Sequence, residues 1–143
     1  MNKQLNCMLL VDDDEAHNYL NRMIIEETAA VRSIHTAWNG REAIDYLLSR
    51  GKFKENGQTY PKPEVILLDI NMPVMNGWDF LEEYHKLSAI EKRKIMIVML
   101  TTSINPDDKA RAETIREISD FKNKPLTMEA VEEMVQRYFT HYI

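Results

Sequence analysis

Three short segments, far apart in the chain, carry side chains fit for one piece of chemistry: Val11-Asp12-Asp13-Asp14, Leu68-Asp69-Ile70-Asn71-Met72-Pro73 and Asn123-Lys124-Pro125. Each follows a run that reads as a strand. Carboxylates brought together repel one another, so acids of this kind need a cation. A lysine beside them needs an anion. A divalent metal together with a phosphoryl group meets both needs. A carboxylate is a poor nucleophile towards a dianionic phosphoryl group, because both are negative, and Mg2+ between them offsets the repulsion. Mg2+ keeps several of its waters, so a few protein oxygens suffice to hold it.

The elements that must position these residues can be read from hydrophobic spacing. Residues 5–11 form a short apolar run, as in a buried strand, and three aspartates follow. A helix pattern comes next, with Ala16, Leu20, Met23 and Ile24 expected on its buried face. Residues 32–38 are compatible with a weak strand, ended by Asn39-Gly40, and Ala43, Ile44, Leu47 and Leu48 form the stripe of a second helix. Residues 51–63 are polar and rich in chain breakers, hence a loop. Val65 to Leu68 and Ile95 to Leu100 are the strongest strand signals, with Phe80, Leu81, Tyr84 and Leu87 marking a third helix between them. A fourth helix is expected to start near Pro106, whose fixed φ suits a first helical position. Residues 120–123 make a polar last strand, expected at an edge. Thr127 is placed to cap the last helix, with Glu129 in its first turn and Val131, Met134, Val135 and Tyr138 on its buried stripe.

Strands alternating with helices in this way predict an α/β fold with a parallel sheet covered on both faces. In such sheets ligands bind beyond the carboxyl ends of the strands, where strand order reverses. A flavodoxin-like order of 2-1-3-4-5 would bring Asp12 and Asp13 beside Asp69, with Thr101, Thr102 and Ser103 following strand four and Lys124 following strand five. The loop at 51–63 would lie at the opposite end of the sheet.

Composition narrows the function. The 143 residues suit one domain with a real core, and no linker leads to a second one. Acids outnumber bases 23 to 18, and no basic stripe is visible, which argues against a nucleic-acid partner. No apolar run approaches a membrane span, and residues 1–7 are too short and polar for a signal peptide. Cys7 is the sole cysteine, which fits a reducing compartment, so a cytoplasmic address is expected. The histidines at 17, 35, 85 and 141 are scattered without zinc-ligand spacing and read as ordinary residues.

Taken together, the acidic pair after strand one, Asp69 followed by Met72-Pro73 and Gly77, then Thr101, then Lys124-Pro125, resemble the receiver domains of two-component response regulators. The likeness covers nearly the whole chain, and the Leu-Thr-Thr-Ser run at 100–103 with the long loop at 51–63 resembles the stand-alone receivers that pair with phytochrome-type kinases. The resemblance implies a flavodoxin-like (βα)5 three-layer sandwich forming a single receiver domain over residues 1–143, without an output domain. It implies Asp69 as phosphoacceptor, Asp12, Asp13, Asp69 and the carbonyl of Asn71 as ligands of Mg2+, and Thr101 and Lys124 as phosphoryl-binding groups. It implies a cis Lys124-Pro125 bond, a switch made of Thr101 and Phe121, and tuning of dephosphorylation at Asn71 and Ser103. The partners it implies are a sensor histidine kinase or histidine phosphotransfer protein and an unidentified downstream protein. The face of helix four, strand five and helix five is also open to a homodimer, which Tyr138, Phe139, Tyr142 and Ile143 could extend.

Other readings stand beside these. Asp14 suits a helix cap, and Phe121 suits either a switch or plain core. Trp78 and Met75 suit either kinase contact or packing. Phe121 stands where the family often has tyrosine, Thr102 where alanine is common, and Ser119-Asp120 where a small residue and glycine are frequent. A phosphatase of the haloacid dehalogenase type also uses a strand-end aspartate with Mg2+, but needs a second acid where this chain has Asn71. A scaffold that works without phosphorylation would have no use for the intact acceptor set.

Overall fold

A computed structural model describes residues 3–54, 60–88, 95–102 and 105–142. Five strands alternate with five helices: β1 (Leu5–Val11), α1 (Glu15–Thr28), β2 (Val31–Ala37), α2 (Gly40–Leu47), β3 (Val65–Leu68), α3 (Gly77–His85), β4 (Met96–Thr101), α4 (Pro106–Glu113), β5 (Ile118–Asn123) and α5 (Met128–His141). The sheet order is β2-β1-β3-β4-β5, and all its pairings are parallel. This is the flavodoxin-like α/β architecture expected from the pattern, with the order reversing between β1 and β3.

Alternation along the strands divides the core into two layers. Leu9, Val11, Ile66, Leu68, Ile97 and Met99 face α2, α3 and α4, through Ile44, Leu47, Phe80, Leu81 and Ala112. Met8, Leu10, Val65, Leu67, Met96 and Val98 face α1 and α5, through Ile25, Val131, Met134, Val135 and Tyr138. Asn39, Asn105 and Thr127 cap their helices with side-chain oxygens, and Pro106 opens α4. Leu48 and Leu87 lie just beyond α2 and α3 and still pack on the core.

The first helix corrects the sequence reading. Its inward residues are Asn18, Asn21 and Ile25, whereas Leu20 and Met23 are 56% and 48% exposed and Ala16 also faces out. Polar anchors to the sheet fix this rotation: Asn18 Nδ2 donates to the Asp12 carbonyl at 2.9 Å and Arg22 Nη2 to the Ile34 carbonyl at 2.9 Å. The last strand starts at Ile118, two residues earlier than its polar sequence indicates, and is half-buried at the sheet edge.

The segment after α2 is only partly a free loop. Gly51–Phe53 forms a short 3-10 turn, and Phe53 and Tyr60 pack edge-on against each other and against Tyr46. Residues 55–59 of that loop lie outside the described residues. Tyr138 is buried, and Phe139 and Tyr142 pack half-buried on the same layer, so these aromatics serve the core; Ile143 lies outside the described residues. Among the described residues no helix is long and apolar enough to cross a membrane.

Candidate functional site

The site follows from strand register. Val11 pairs with Leu68 across β1 and β3, so the next residues of both strands emerge side by side. The Asp69 amide donates to the Val11 carbonyl at 2.9 Å and the Asp12 amide to the Ala37 carbonyl at 3.1 Å, which holds both backbones at the sheet's end. One ligand oxygen each from Asp12, Asp13 and Asp69 lies within 4.8 Å of the others. Asp12 and Asp69 are buried and Asp13 is exposed. Asp14 takes a different part: its Oδ1 caps α1 by accepting from the His17 amide at 3.0 Å.

Lys124 comes from the far edge of the sheet. Its amide donates to the Thr101 carbonyl at 2.6 Å, tying the end of β5 to that of β4, and the Lys124-Pro125 bond is cis. Its ammonium lies 2.6 Å from Asp12 Oδ2 and 3.8 Å from Asp69 Oδ1, with the side chain 9% exposed. Four of the side chains singled out in the sequence, those of Asp12, Asp13, Asp69 and Lys124, therefore meet at one end of the sheet. Thr101 ends β4 and is buried. Asn71 is exposed two residues beyond Asp69. Phe121 is half-buried and packs on the core layer facing α2 to α4. Ser103 lies outside the described residues.

Close backbone packing surrounds the end of β3. The Gly77 amide donates to the Ile70 carbonyl at 2.8 Å, and a Cβ on Gly77 would meet the Asp69 carbonyl oxygen at 2.5 Å. A side chain there would collide with the backbone of Asp69 itself. Trp78 and Met75 are both buried, and the Arg111 guanidinium covers the Trp78 ring at 4.5 Å, so packing is their visible role.

Burial pushes the Asp69 carboxyl up to about 6, helped by the charges of Asp12 and Asp13 and opposed by Lys124 and by the Ile70 N–H. A carboxyl group so placed is short of positive charge even with the lysine beside it. Three hard carboxylate oxygens, one of them open to solvent, are the donor set that suits Mg2+ with its retained waters. The residues present fit that ion.

One member of the site is invisible as a motif. His17 Nδ1 lies 3.0 Å from Lys124 Nζ and 3.7 Å from Asp12 Oδ2. The signal that could have found it is the cap: Asp14 at the N-cap puts His17 in the first turn, and helical side chains lean back towards the N-terminus, here over the strand ends.

Comparison with known proteins agrees with this fold. The family model of the response regulator receiver domain matches residues 8–136. A two-component response regulator from Cytophaga hutchinsonii superimposes with a TM-score of 0.83 at 30% identity, covering 97% of this chain and all of that one. The bacteriophytochrome response regulator AtBRR superimposes with a TM-score of 0.78 at 25% identity, covering 98% of this chain and 96% of its own. Response regulator Rcp1 of Synechocystis sp. is 30% identical over 71% of this chain, and the match spans 65% of that relative's length.

Proposed function

The chain belongs to the response regulator receiver domain family, and from that premise we propose that it accepts a phosphoryl group on Asp69 and thereby switches a protein-docking surface. The observation that carries the reading is the gathering of Asp12, Asp13 and Asp69 within 4.8 Å, with the Lys124 ammonium 2.6 Å from one of these acids and 3.8 Å from another. Asp12, Asp13, Asp69 and the Asn71 carbonyl would hold Mg2+, which supplies the positive charge that lets two anions meet.

In this reading an ionised Asp69 oxygen attacks phosphorus as the P–N bond to a donor histidine breaks, and the electron pair of that bond returns to the imidazole. The product is an acyl phosphate. Lys124 neutralises one phosphoryl oxygen and the Thr101 hydroxyl donates to another, so most of the chemistry is positioning. Water later cleaves the acyl phosphate, at a rate set by groups at the pocket mouth, Asn71 and Ser103 among them. Movement of Thr101 towards the phosphoryl group opens room for Phe121 to turn inward, which shifts the population of the α4-β5-α5 surface. Coupling of about 1–3 kcal/mol is the usual scale for such a shift.

The donor is a sensor histidine kinase or a histidine phosphotransfer protein, and the output is a protein that reads the altered surface or a second copy that pairs through it. The distribution of exposed apolar side chains supports a protein donor. Tyr19, Leu20 and Met23 on α1, Trp38 just beyond β2 and Val74 in the β3-α3 connection are exposed, and all belong to segments that follow the sheet's carboxyl end. The unpaired Cys7 thiol supports a cytoplasmic address.

Incubation with Mg2+ and acetyl phosphate tests the function. A single added phosphoryl group, lost in Asp69→Asn, is the expected result. Turnover of many phosphoesters would instead indicate a phosphatase, and absence of any adduct a scaffold.

A further inference from the structure

We propose that His17 is a positioning residue for Lys124, its Nδ1 accepting one ammonium proton so that the lysine stays poised to give another to a phosphoryl oxygen. The inference rests on the receiver reading and adds a residue to it. It begins from the count of donors. An ammonium has three N–H groups and no acceptor, and one this buried must place them on acceptors. Asp12 Oδ2 at 2.6 Å takes the first and His17 Nδ1 at 3.0 Å the second. Asp69 Oδ1, at 3.8 Å, is too distant for the third to be a hydrogen bond.

The direction of the His17 contact is fixed by chemistry. The ammonium can only donate, so Nδ1 must accept, and the ring proton sits on Nε2. Both carboxylate contacts of the same nitrogen are longer, 3.7 Å to Asp12 and 3.7 Å to Asp14. The first turn that carries the ring is anchored, because the His17 backbone N–H donates to the Asp14 side chain that caps α1. His17 therefore offers the ammonium a second acceptor at 3.0 Å besides Asp12, while Asp69 stays at 3.8 Å. Without it the ammonium would lean onto Asp69, neutralise the nucleophile and lose its own freedom to meet the incoming phosphoryl group.

The test compares His17→Ala, His17→Asn and His17→Gln. An asparagine Oδ1 can occupy the place of Nδ1, whereas a glutamine Oε1 reaches the place of Nε2. With acetyl phosphate and saturating Mg2+, the second-order rate of labelling should fall about fivefold to tenfold in His17→Ala and His17→Gln. It should return to within about twofold of the starting protein in His17→Asn. A second readout needs neither phosphoryl donor nor metal: the amine-selective 1H–15N signal of the Lys124 ammonium in EDTA. It should shift or broaden in His17→Ala and return in His17→Asn. A folded His17→Ala that labels at the starting rate, or one whose Lys124 signal is unmoved, overturns the proposal, and so does rescue by glutamine in place of asparagine. If the starting protein takes no label at all, the receiver reading fails, while the ammonium signal still judges the His17 contact.

Discussion

Asp69 is the residue at which stability and chemistry pull in opposite directions. Burial and the neighbouring acids raise its pKa from 3.8 to about 6. The folded chain thus holds this proton more tightly than the unfolded chain does. An acid shifted upwards stabilises the fold when protonated, and that contribution is lost as pH rises through about 6. In metal-free protein above neutral pH, Asp69→Asn should therefore melt higher than the starting protein, by about 1–3 kcal/mol. The difference should close as pH falls below about 4, where both forms are neutral. Thermal melts in EDTA across this range check the sign, and a variant less stable above neutrality would contradict the assigned environment. The same shift makes protons compete with Mg2+, so affinity for the ion should rise with pH through that window.

At the scale of elements, the connection from β3 to α3 sets the geometry around Asp69. Gly77 approaches the Asp69 carbonyl so closely that Gly77→Ala must move backbone. That variant should lose about 2–3 kcal/mol, and it should label more slowly because the acceptor strand shifts. Normal stability and normal labelling together would show that the loop can yield. In the same connection Val74 has φ of 67°, and the Met75 amide donates to the Pro73 carbonyl at 2.7 Å around it. This is a γ-turn with a β-branched residue in left-handed backbone, a costly combination. Met72 and Met75 are buried on either side and hold it in place, while Val74 itself is 83% exposed. Glycine reaches positive φ at no steric cost, so Val74→Gly should gain about 1 kcal/mol of stability. Denaturant unfolding measures it, and a loss would mean that Val74 packs in a way its exposure conceals.

For the whole molecule, the acids at the sheet's end form a liability that a bound cation would relieve. An ion that binds only the folded form stabilises it by mass action. At ten times its Kd, Mg2+ should add about 1.4 kcal/mol, seen as a higher melting temperature in Mg2+ than in EDTA. Asp13, the exposed member of the trio, costs the fold little when changed, so Asp13→Asn should abolish most of the rise while leaving the EDTA melt nearly unchanged. Identical melts of the starting protein with and without the ion would remove the metal from the account.

Much of this arrangement was legible in the chain. Strand-end acids, a strand-end threonine and a lysine before proline mark the ends of β1, β3, β4 and β5 by residue type alone. Alternating strands and helices demand a parallel sheet, because chain direction must reset through each helix. Apolar runs in β1, β3 and β4 are long enough to identify buried strands. Local pattern could not settle the rotation of α1, where hydrogen bonds from Asn18 and Arg22 to the sheet turned Leu20 and Met23 outwards. Nor could it bring His17 to Lys124, two residues 107 positions apart in the chain. Side-chain periodicity reports which residues avoid water, and it is silent on which polar groups find each other across strands. That pairing depends on register and helix phase, and these exist only once the sheet has closed.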